Sequence, residues 1–371
     1  MPRKKSLLPI GIHLNLRGVH MVQMEQSEAA AVAVARASRA FRPLPEKASD
    51  EGEKPTSALV SESAKDGRYQ EIREFVKVEL NSGKFHGAEA VISLPAETLV
   101  IQHVRMSPMQ PEELLGALPW ELRDKLPFDP KEAVIRHLVT GTVTENNETK
   151  QDVVALATRR ATVEKHVEAM GRIGLRIVGV SVEPCAMCYP YAFAAMHAPA
   201  SQEGPSSLML AHLGPLSTHV AIVQGQEISF IKEMGLGTRH LTAALAKARN
   251  ISLAEAADLR ARWRTGNPSP EAIQEGVQAY NSIRYDLGHF VDEVESCMRY
   301  HTSLARGARV NRLLFLGEEA HDKALVRVIG AGLSIPCEVG DPVALVGEMG
   351  KRDAVEPELA VAVGLGLFSA N

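Results

Sequence analysis

The chain has 371 residues, of which 45% are apolar and 23% charged, so it is long enough for two or three domains of ordinary globular composition. Its net charge of −4 gives no electrostatic case for a nucleic-acid partner. The four cysteines are irregularly spaced and do not indicate a disulfide framework, so we expect a reducing compartment.

The N-terminal region is predicted to begin with strands rather than with a targeting segment. Basic residues precede an apolar stretch, but polar side chains interrupt that stretch and no small-residue cleavage site follows. Alternating apolar residues predict two strands over 7–25 around a turn at Arg17 and Gly18, and a third strand soon after. Residues 42–66 are rich in Pro, Glu, Lys and Ser and predict a flexible loop, with a helix following over 68–81.

An α+β block is predicted over roughly residues 95–178. Strand-like segments there alternate with helix-like segments over 112–125 and 162–173. The first of these helices carries Trp120, for which packing in the core is favoured over an exposed contact with a partner.

A strand–turn–strand pattern occurs twice. Residues 207–235 repeat the pattern of residues 7–41 about 200 residues later, and such a repeat predicts two related lobes with a cleft between them. Helices are predicted next, over 251–264 and 270–305, before a closing strand–turn–helix unit.

The order of these elements resembles the PilM family of type IV pilus assembly proteins, a branch of the actin, Hsp70 and sugar-kinase superfamily. The segments that carry the resemblance are LPWELRDKLPFDP (118–130), NISLAEAADL (250–259), FVDEVESCMRY (290–300), and LLFLGEEA (313–320) with ELAVAVGLGL (358–367). The resemblance implies an α/β, two-lobed actin-like fold with duplicated ribonuclease-H-like domains and an inserted α+β subdomain.

The resemblance also implies a domain division and a set of partners. The first lobe is expected over 1–200 with the insertion at 95–178, and the second over 201–371 with a small helical subdomain at about 245–300. The family's members bind the cytoplasmic tail of the inner-membrane protein PilN and connect the pilus platform to its motors. We therefore expect a PilN-like tail and other platform or motor components as partners.

In this superfamily, two turns bind phosphate through backbone N–H groups, and an acid in each turn holds Mg²⁺ through water. The first turn departs from that pattern, because His13 stands where an acid is expected, Asn15 where a glycine is expected, and Leu16 where a hydroxyl is expected. Arg17 and Gly18 complete this turn.

The second and third turns depart as well. His212 replaces the second acid, and Gly214 is followed by Pro215, which has no N–H to offer. Ser217 and Thr218 remain in this second turn. The third turn, at the adenosine site, is expected to read Gly-Gly but reads Gly317-Glu318, which adds a Cβ and a negative charge.

These departures predict a degenerate nucleotide site, with no cofactor and no catalytic residue; ATP with Mg²⁺ is the alternative cofactor. Because Arg17 and the two histidines could still hold an anion, nucleotide binding without hydrolysis stays open. His13 and His212 would face each other across the cleft, but two ligands alone make a weak metal site, so no metal is expected.

Two further motifs have structural interpretations. Cys185 and Cys188 have Cys-x-x-Cys spacing without a second pair, which favours buried helix residues over a zinc or redox site. The turn from Gly235 to Gly237 lacks the Lys-Ser/Thr of a Walker motif, which favours a structural turn.

The sequence thus predicts a non-enzymatic adaptor, cytoplasmic and held at the inner membrane through partners, in a type IV pilus or related secretion platform. No apolar stretch approaches the ~20 residues of a membrane span. The alternatives are an active ATPase on the same fold and an actin-like filament or cell-division scaffold.

Overall fold

The structure is a computed structural model that describes residues 6–15, 17–27, 30–40, 62–145, 148–197, 207–265, 268–304, 308–347 and 354–368. The strands are β1 (Ser6–Leu7), β2 (Ile10–Leu14), β3 (Gly18–Ser27), β4 (Ala30–Ala40), β5 (Glu89–Leu94), β6 (Val100–Met106), β7 (Ala133–Glu145), β8 (Glu148–Arg159), β9 (Arg176–Val182), β10 (Ser207–Leu213), β11 (Thr218–Gln224), β12 (Glu227–Met234), β13 (Val310–Leu316) and β14 (Cys337–Val339). The α-helices are α1 (Glu62–Asn81), α2 (Pro111–Glu121), α3 (Arg160–Gly171), α4 (Glu183–Ala186), α5 (Tyr189–His197), α6 (Thr238–Arg249), α7 (Leu253–Trp263), α8 (Pro270–Ser282), α9 (Arg284–Leu304), α10 (Lys323–Gly330), α11 (Pro342–Val346) and α12 (Ala360–Leu367).

The two lobes are built on sheets of the same topology. The first sheet runs β4-β3-β2-β5-β9, with the short β1 also paired to β3, and the second runs β12-β11-β10-β13-β14. In each sheet the first three strands pair antiparallel and the last two extend the sheet in parallel. The predicted duplication and the predicted fold class are therefore confirmed.

A separate three-stranded antiparallel sheet, in the order β6-β8-β7, lies in the chain between β5 and β9. Helix α2 covers it with Leu114 and Leu118, which are fully buried. Trp120 on the same helix is 77% exposed, so the predicted core packing of this side chain was wrong. Trp120 follows Leu118 by two residues, which rotates it away from the buried face of the helix.

The C-terminal elements pack on the first lobe although they follow the second in sequence. Val343 of α11 and Val363 of α12 share an apolar cluster with Val22 and Met24 of β3. Conversely, Tyr191 of α5 packs in a cluster with strands of the second lobe. Helices on each side of the predicted border at residue 200 therefore pack against the strands of the other lobe.

Two local predictions differ from the structure. Helix α1 begins at Glu62, so residues 62–66 of the predicted loop are helical, and residues 42–61 lie outside the described part of the chain. The long helix predicted over 270–305 is broken at Ile283, whose φ of −113° ends α8 before α9 begins.

In the described residues, no helix has the length and apolar character required to cross a membrane.

Cys185 and Cys188 are both buried, as the sequence predicted, but only Cys185 is helical, in α4, whereas Cys188 lies in the turn before α5. Burial raises the pKa of Cys185 to about 12, which keeps this side chain a neutral thiol at physiological pH.

Candidate functional site: the cleft between the lobes

Two pairs of buried histidines line the cleft, one pair from each lobe. His13 on β2 lies directly opposite His20 on β3, and His212 on β10 lies directly opposite His219 on β11. The two pairs occupy equivalent places in the duplicated sheets, and the rings of His13 and His212 approach to 5.8 Å between centroids. The duplicated hairpins therefore bring four imidazoles to one interface.

The carboxylate of Glu183, at the start of α4, lies among these histidines and is 5% exposed. His219 Nδ1 donates to Glu183 Oε1 over 2.6 Å, and His13 Nε2 lies 3.3 Å from Glu183 Oε2. His212 Nδ1 is 3.0 Å from Glu183 Oε1 but lacks the alignment of a hydrogen bond. One buried acid from the connection between the lobes thus contacts strands of both.

The charges in this cluster follow from the contacts. Burial opposes ionisation of Glu183, but the neighbouring imidazoles hold its pKa well below its ordinary range. Burial would lower the pKa of His219 too, yet its short bond to Glu183 raises it. Burial lowers the pKa of His13 to about 4 despite the same carboxylate. We therefore assign the ion pair to Glu183 and His219, with His13 neutral.

In the first predicted phosphate turn, the side chain of Asn15 accepts hydrogen bonds from the backbone. Asn15 Oδ1 accepts hydrogen bonds from Arg17 N at 2.7 Å and from Gly18 N at 2.8 Å. These N–H groups belong to the turn for which the sequence predicted a phosphate-binding role, and they already have an acceptor within the protein. Leu16, the remaining predicted member of the turn, lies outside the described residues.

The second turn is also held by internal contacts. Gly214 N donates to Ser217 O over 3.1 Å, and the Thr218 hydroxyl donates to Leu236 O over 2.8 Å. Gly237 precedes α6, and a Cβ at this glycine would overlap the backbone of Leu216 in the turn. The segment from Gly235 to Gly237 therefore serves as a packing partner of the second turn, in agreement with its structural interpretation.

The third turn places two adjacent acids in the cleft. Gly317 has a φ of +85°, and a Cβ there would lie 3.0 Å from His212 Nε2. Glu318 Oε1 lies 3.0 Å from His20 Nε2, a contact that joins the second lobe to β3 of the first. Burial opposes ionisation of Glu318, but its bond to His20 leaves its pKa lowered.

Glu319 is surrounded by three arginines. Its Oε2 accepts from Arg260 Nη2 over 2.5 Å, and its Oε1 contacts Arg264 Nη1 and, at 2.6 Å, Arg17 Nη2. Arg260 on α7 also donates to the Tyr280 hydroxyl over 3.0 Å. Burial opposes ionisation of Glu319, but the guanidinium groups outweigh it and lower its pKa to about 2.

Little space remains between these groups. A cavity of about 40 Å³ lies against Asn15, Arg17, Glu183, His212 and Glu319, whereas small-molecule sites usually measure about 300–1,000 Å³. Backbone N–H groups of both turns already have acceptors within the protein, Asn15 Oδ1 in the first turn and Ser217 O in the second. In the described part of the chain, no group of three or more His, Cys, Asp or Glu side chains is arranged to hold a metal ion.

Apart from Leu16, which lies outside the described residues, the structure brings the predicted residues of the three turns together, and it adds residues that sequence reasoning missed. His20 and His219 had a detectable signal, because HLNLRGVH (13–20) and HLGPLSTH (212–219) carry histidines at the same spacing. Glu183 is an isolated acid in an apolar stretch beside the Cys-x-x-Cys motif, and Glu319 lies one residue beyond the predicted turn. The arginine partners of Glu319 had no local signal.

The duplicated sheets, the insertion and the cleft at their junction define a two-lobed protein of the actin-like class. A family model described as "Type IV pilus assembly protein PilM" matches residues 28–369. The chain therefore belongs to the PilM family of type IV pilus assembly proteins.

Two solved structures illustrate the similarity. The PilM–PilN type IV pilus biogenesis complex shares 21% sequence identity with a TM-score of 0.71, over 99% of this chain and 98% of that one. The ethanolamine utilization protein EutJ from Carboxydothermus hydrogenoformans shares 13% identity with a TM-score of 0.53, over 100% of this chain and 91% of that one. At these identities the structural similarity bears on the fold alone.

Proposed function

We propose that this chain is a cytoplasmic adaptor of a type IV pilus or related secretion platform, and that it binds the cytoplasmic tail of a PilN-like inner-membrane protein. Membership of the PilM family supports the assembly role. A structural relative solved in complex with PilN supports the choice of partner. Through that partner the chain would be held at the inner membrane and would contact other platform or motor components.

We further propose that the adaptor neither binds nor hydrolyses ATP. The observation that carries this proposal is that the protein's own side chains fill the cleft. Asn15 Oδ1 accepts hydrogen bonds from the N–H groups of the first turn, and the remaining cavity measures about 40 Å³. His13 and His212 stand where the superfamily is expected to have acids near Mg²⁺. Mg²⁺ prefers oxygen ligands, so a neutral imidazole is a poor ligand for it and a protonated imidazole repels it.

Contacts within the protein take over the mechanical role of a bridging ligand. Arg17 of the first lobe reaches Glu319 of the second, and His20 of the first lobe reaches Glu318 of the second. A ligand that contacts both lobes stabilises their closed arrangement, and side chains that contact each other across the cleft do the same without a ligand.

Titration calorimetry of the purified chain with Mg-ATP tests the nucleotide proposal. We expect no heat of binding at millimolar nucleotide, with a nucleotide-binding actin-like protein as the positive control. A dissociation constant in the micromolar range would contradict the proposal, and a steady release of phosphate would favour the ATPase alternative.

Membrane fractionation tests the adaptor role. When the PilN-like protein is co-expressed, we expect the chain to sediment with the membranes, and to stay in the supernatant when the tail of that protein is deleted. Sedimentation that instead rises with the chain's own concentration, in the absence of membranes, would favour the filament alternative.

A further inference from the structure

The histidines at the junction of the lobes outnumber the carboxylates that contact them. Four imidazoles, each at most 3% exposed, form what we call the histidine cluster: His13, His20, His212 and His219. Glu318 contacts His20, and Glu183 contacts the other three rings. Two carboxylates balance two imidazolium ions, so a third proton on the histidine cluster has no counterion inside the closed protein.

His13 and His212 are the members of the histidine cluster that meet across the lobes with unused ring nitrogens. Their ring centroids are 5.8 Å apart. Among the described residues, His13 Nδ1 has no hydrogen-bond partner, and neither nitrogen of His212 has one. The cavity of about 40 Å³ lies against His212, and a space of that volume admits about two or three water molecules, which can carry a proton to this pair.

The other charged groups that face the histidine cluster do not supply a counterion for the His13–His212 pair. The carboxylate of Glu319 is already bound by three arginines. Glu233 of β12 lies opposite His219 and favours the proton that His219 already holds. In the described part of the chain, Glu183 is the sole carboxylate within ion-pair distance of the pair. The charged residues that face the cluster from the neighbouring turns and strands are Arg17, Glu97, Glu233 and Glu319.

We propose that the histidine cluster makes closure of the cleft proton-dependent, so that a further proton on the His13–His212 pair favours an open arrangement of the lobes. A further imidazolium at this junction would be buried without a counterion, beside the cation that His219 already carries. Separation of the lobes admits water, which solvates the charged rings. This regulation rests on the proposed function in one respect, the closure of the cleft by the protein's own side chains, and it needs no membrane partner.

Proton linkage gives the direction of the change. Burial lowers the pKa of His13 to about 4 in the closed protein, against 6.5 for an ordinary imidazole. The open state therefore binds more protons between these values, and closure weakens as the pH falls from 6.5 towards 4. The raised pKa of His219 acts with the opposite sign, because its contribution is present below pH 6.5 and is lost as the pH rises through the folded-state pKa. Closure is therefore expected to be strongest near neutral pH and to weaken on acidification.

Amide hydrogen exchange of the whole chain at several pH values tests the proposal, with rates corrected for the intrinsic pH dependence of exchange. We expect protection in the two histidine hairpins, residues 13–20 and 212–219, to fall by about 10-fold between pH 7 and pH 5. The carboxylates of the cleft remain ionised over this interval, because the pKa values of Glu183, Glu318 and Glu319 lie below their ordinary range. Protonation of histidine therefore dominates the change.

His13→Gln together with His212→Gln removes the titrating pair and keeps side chains that donate hydrogen bonds. We expect protection in this double variant to change by less than about 2-fold over the same interval, because the pair has no proton to take up. His289→Gln is the matched control, since it removes an exposed imidazole on α9, and it should respond like wild type. If circular dichroism shows that the double variant is unfolded, His13→Gln alone replaces it, with a reduced response expected.

His166 allows opening of the cleft to be distinguished from acid unfolding of the first lobe. Its imidazole is buried beside the carbonyl of Ser93, and burial lowers its pKa to about 4 as well. Acid unfolding through His166 would expose α3 and β5 together with β2 and would spare β10. Opening of the cleft affects both hairpins and leaves α3 and β5 protected.

The outcomes separate the two proposals. If the hairpins lack protection at pH 7, the side chains of the cleft do not close the lobes, and that part of the proposed function fails. Protected hairpins that show no change between pH 7 and pH 5 overturn the proton proposal alone. It is equally overturned if α3 and β5 lose protection to the same extent, or if the double variant keeps the wild-type response.

Discussion

Glu319 is a buried acid whose charge is balanced by Arg17, Arg260 and Arg264. Removal of the charge leaves cations at the cleft without their counterion, and breaking a buried ion pair typically costs about 3–5 kcal/mol. We expect Glu319→Gln to lower the free energy of unfolding by about 3 kcal/mol, measured by urea denaturation at pH 7.

Glu295→Gln is the control for this substitution. Glu295 pairs with Arg299 one helical turn away, and both side chains are exposed. An exposed pair of this kind contributes about 0.5 kcal/mol or less. Equal losses in the two variants would contradict the role assigned to Glu319.

Acid titration gives an independent check on Glu319. Its folded-state pKa of about 2 lies below the ordinary 4.5, so the unfolded chain binds more protons between these values. The stabilisation is therefore fully present above about pH 5 and is lost as the pH falls from 4.5 towards 2, by about 3 kcal/mol. Consequently, the stability difference between wild type and Glu319→Gln should narrow over that pH interval.

At the scale of elements, α12 is held against the first lobe by close backbone contact. A Cβ at Gly364 would overlap the carbonyl group of Ala186 in α4. We expect Gly364→Ala to destabilise the protein by about 3 kcal/mol, because the backbones must separate to admit a methyl group. Thermal unfolding followed by circular dichroism measures the change.

Gly288→Ala in α9 should have the opposite sign. Nothing lies within 4 Å of where its Cβ would be, and alanine is favoured over glycine within a helix by about 0.5–1 kcal/mol. An equal loss of stability at both positions would contradict the role of the α12 contact, because helix propensity favours alanine and the loss would then not be specific to Gly364.

The periodicity of α2 shows how far element-level prediction extends. Leu114, Leu118 and Leu122 recur every four residues and are all fully buried, so the buried face was readable from the sequence. The same spacing places Trp120 on the opposite face. Hydrophobicity alone favoured burial of this residue, and the helical periodicity was the better guide.

At the scale of the whole molecule, two of the contacts that join the lobes across the cleft are Arg17 with Glu319 and His20 with Glu318. Removal of both contacts by Arg17→Ala with His20→Ala should loosen the cleft more than it unfolds the lobes. We expect amide hydrogen exchange in β2 and β10 to accelerate by about 10-fold, corresponding to a local loss of about 1–2 kcal/mol.

Arg172→Ala, which removes an exposed pair with Glu168, should leave that exchange unchanged. If the double variant exchanges like wild type, the lobes are held together by the α12 contacts and not by the cleft.

The sequence by itself determined the duplicated strand units, the fold class, the family and the altered turns, because these depend on patterns among neighbouring residues. The alternation of side chains along the two strands of a hairpin sets which histidines lie opposite each other. The repeat of the hairpin places the second histidine pair at the equivalent position in the other lobe. Tertiary structure alone decided the partners in the cleft. His13 and Glu183 are 170 residues apart, and Arg260 and Glu319 are 59 apart, so their contacts depend on how the lobes and helices pack. The crossing of α12 to the first lobe likewise followed from apolar surface left on β3, which no segment of the sequence reveals on its own.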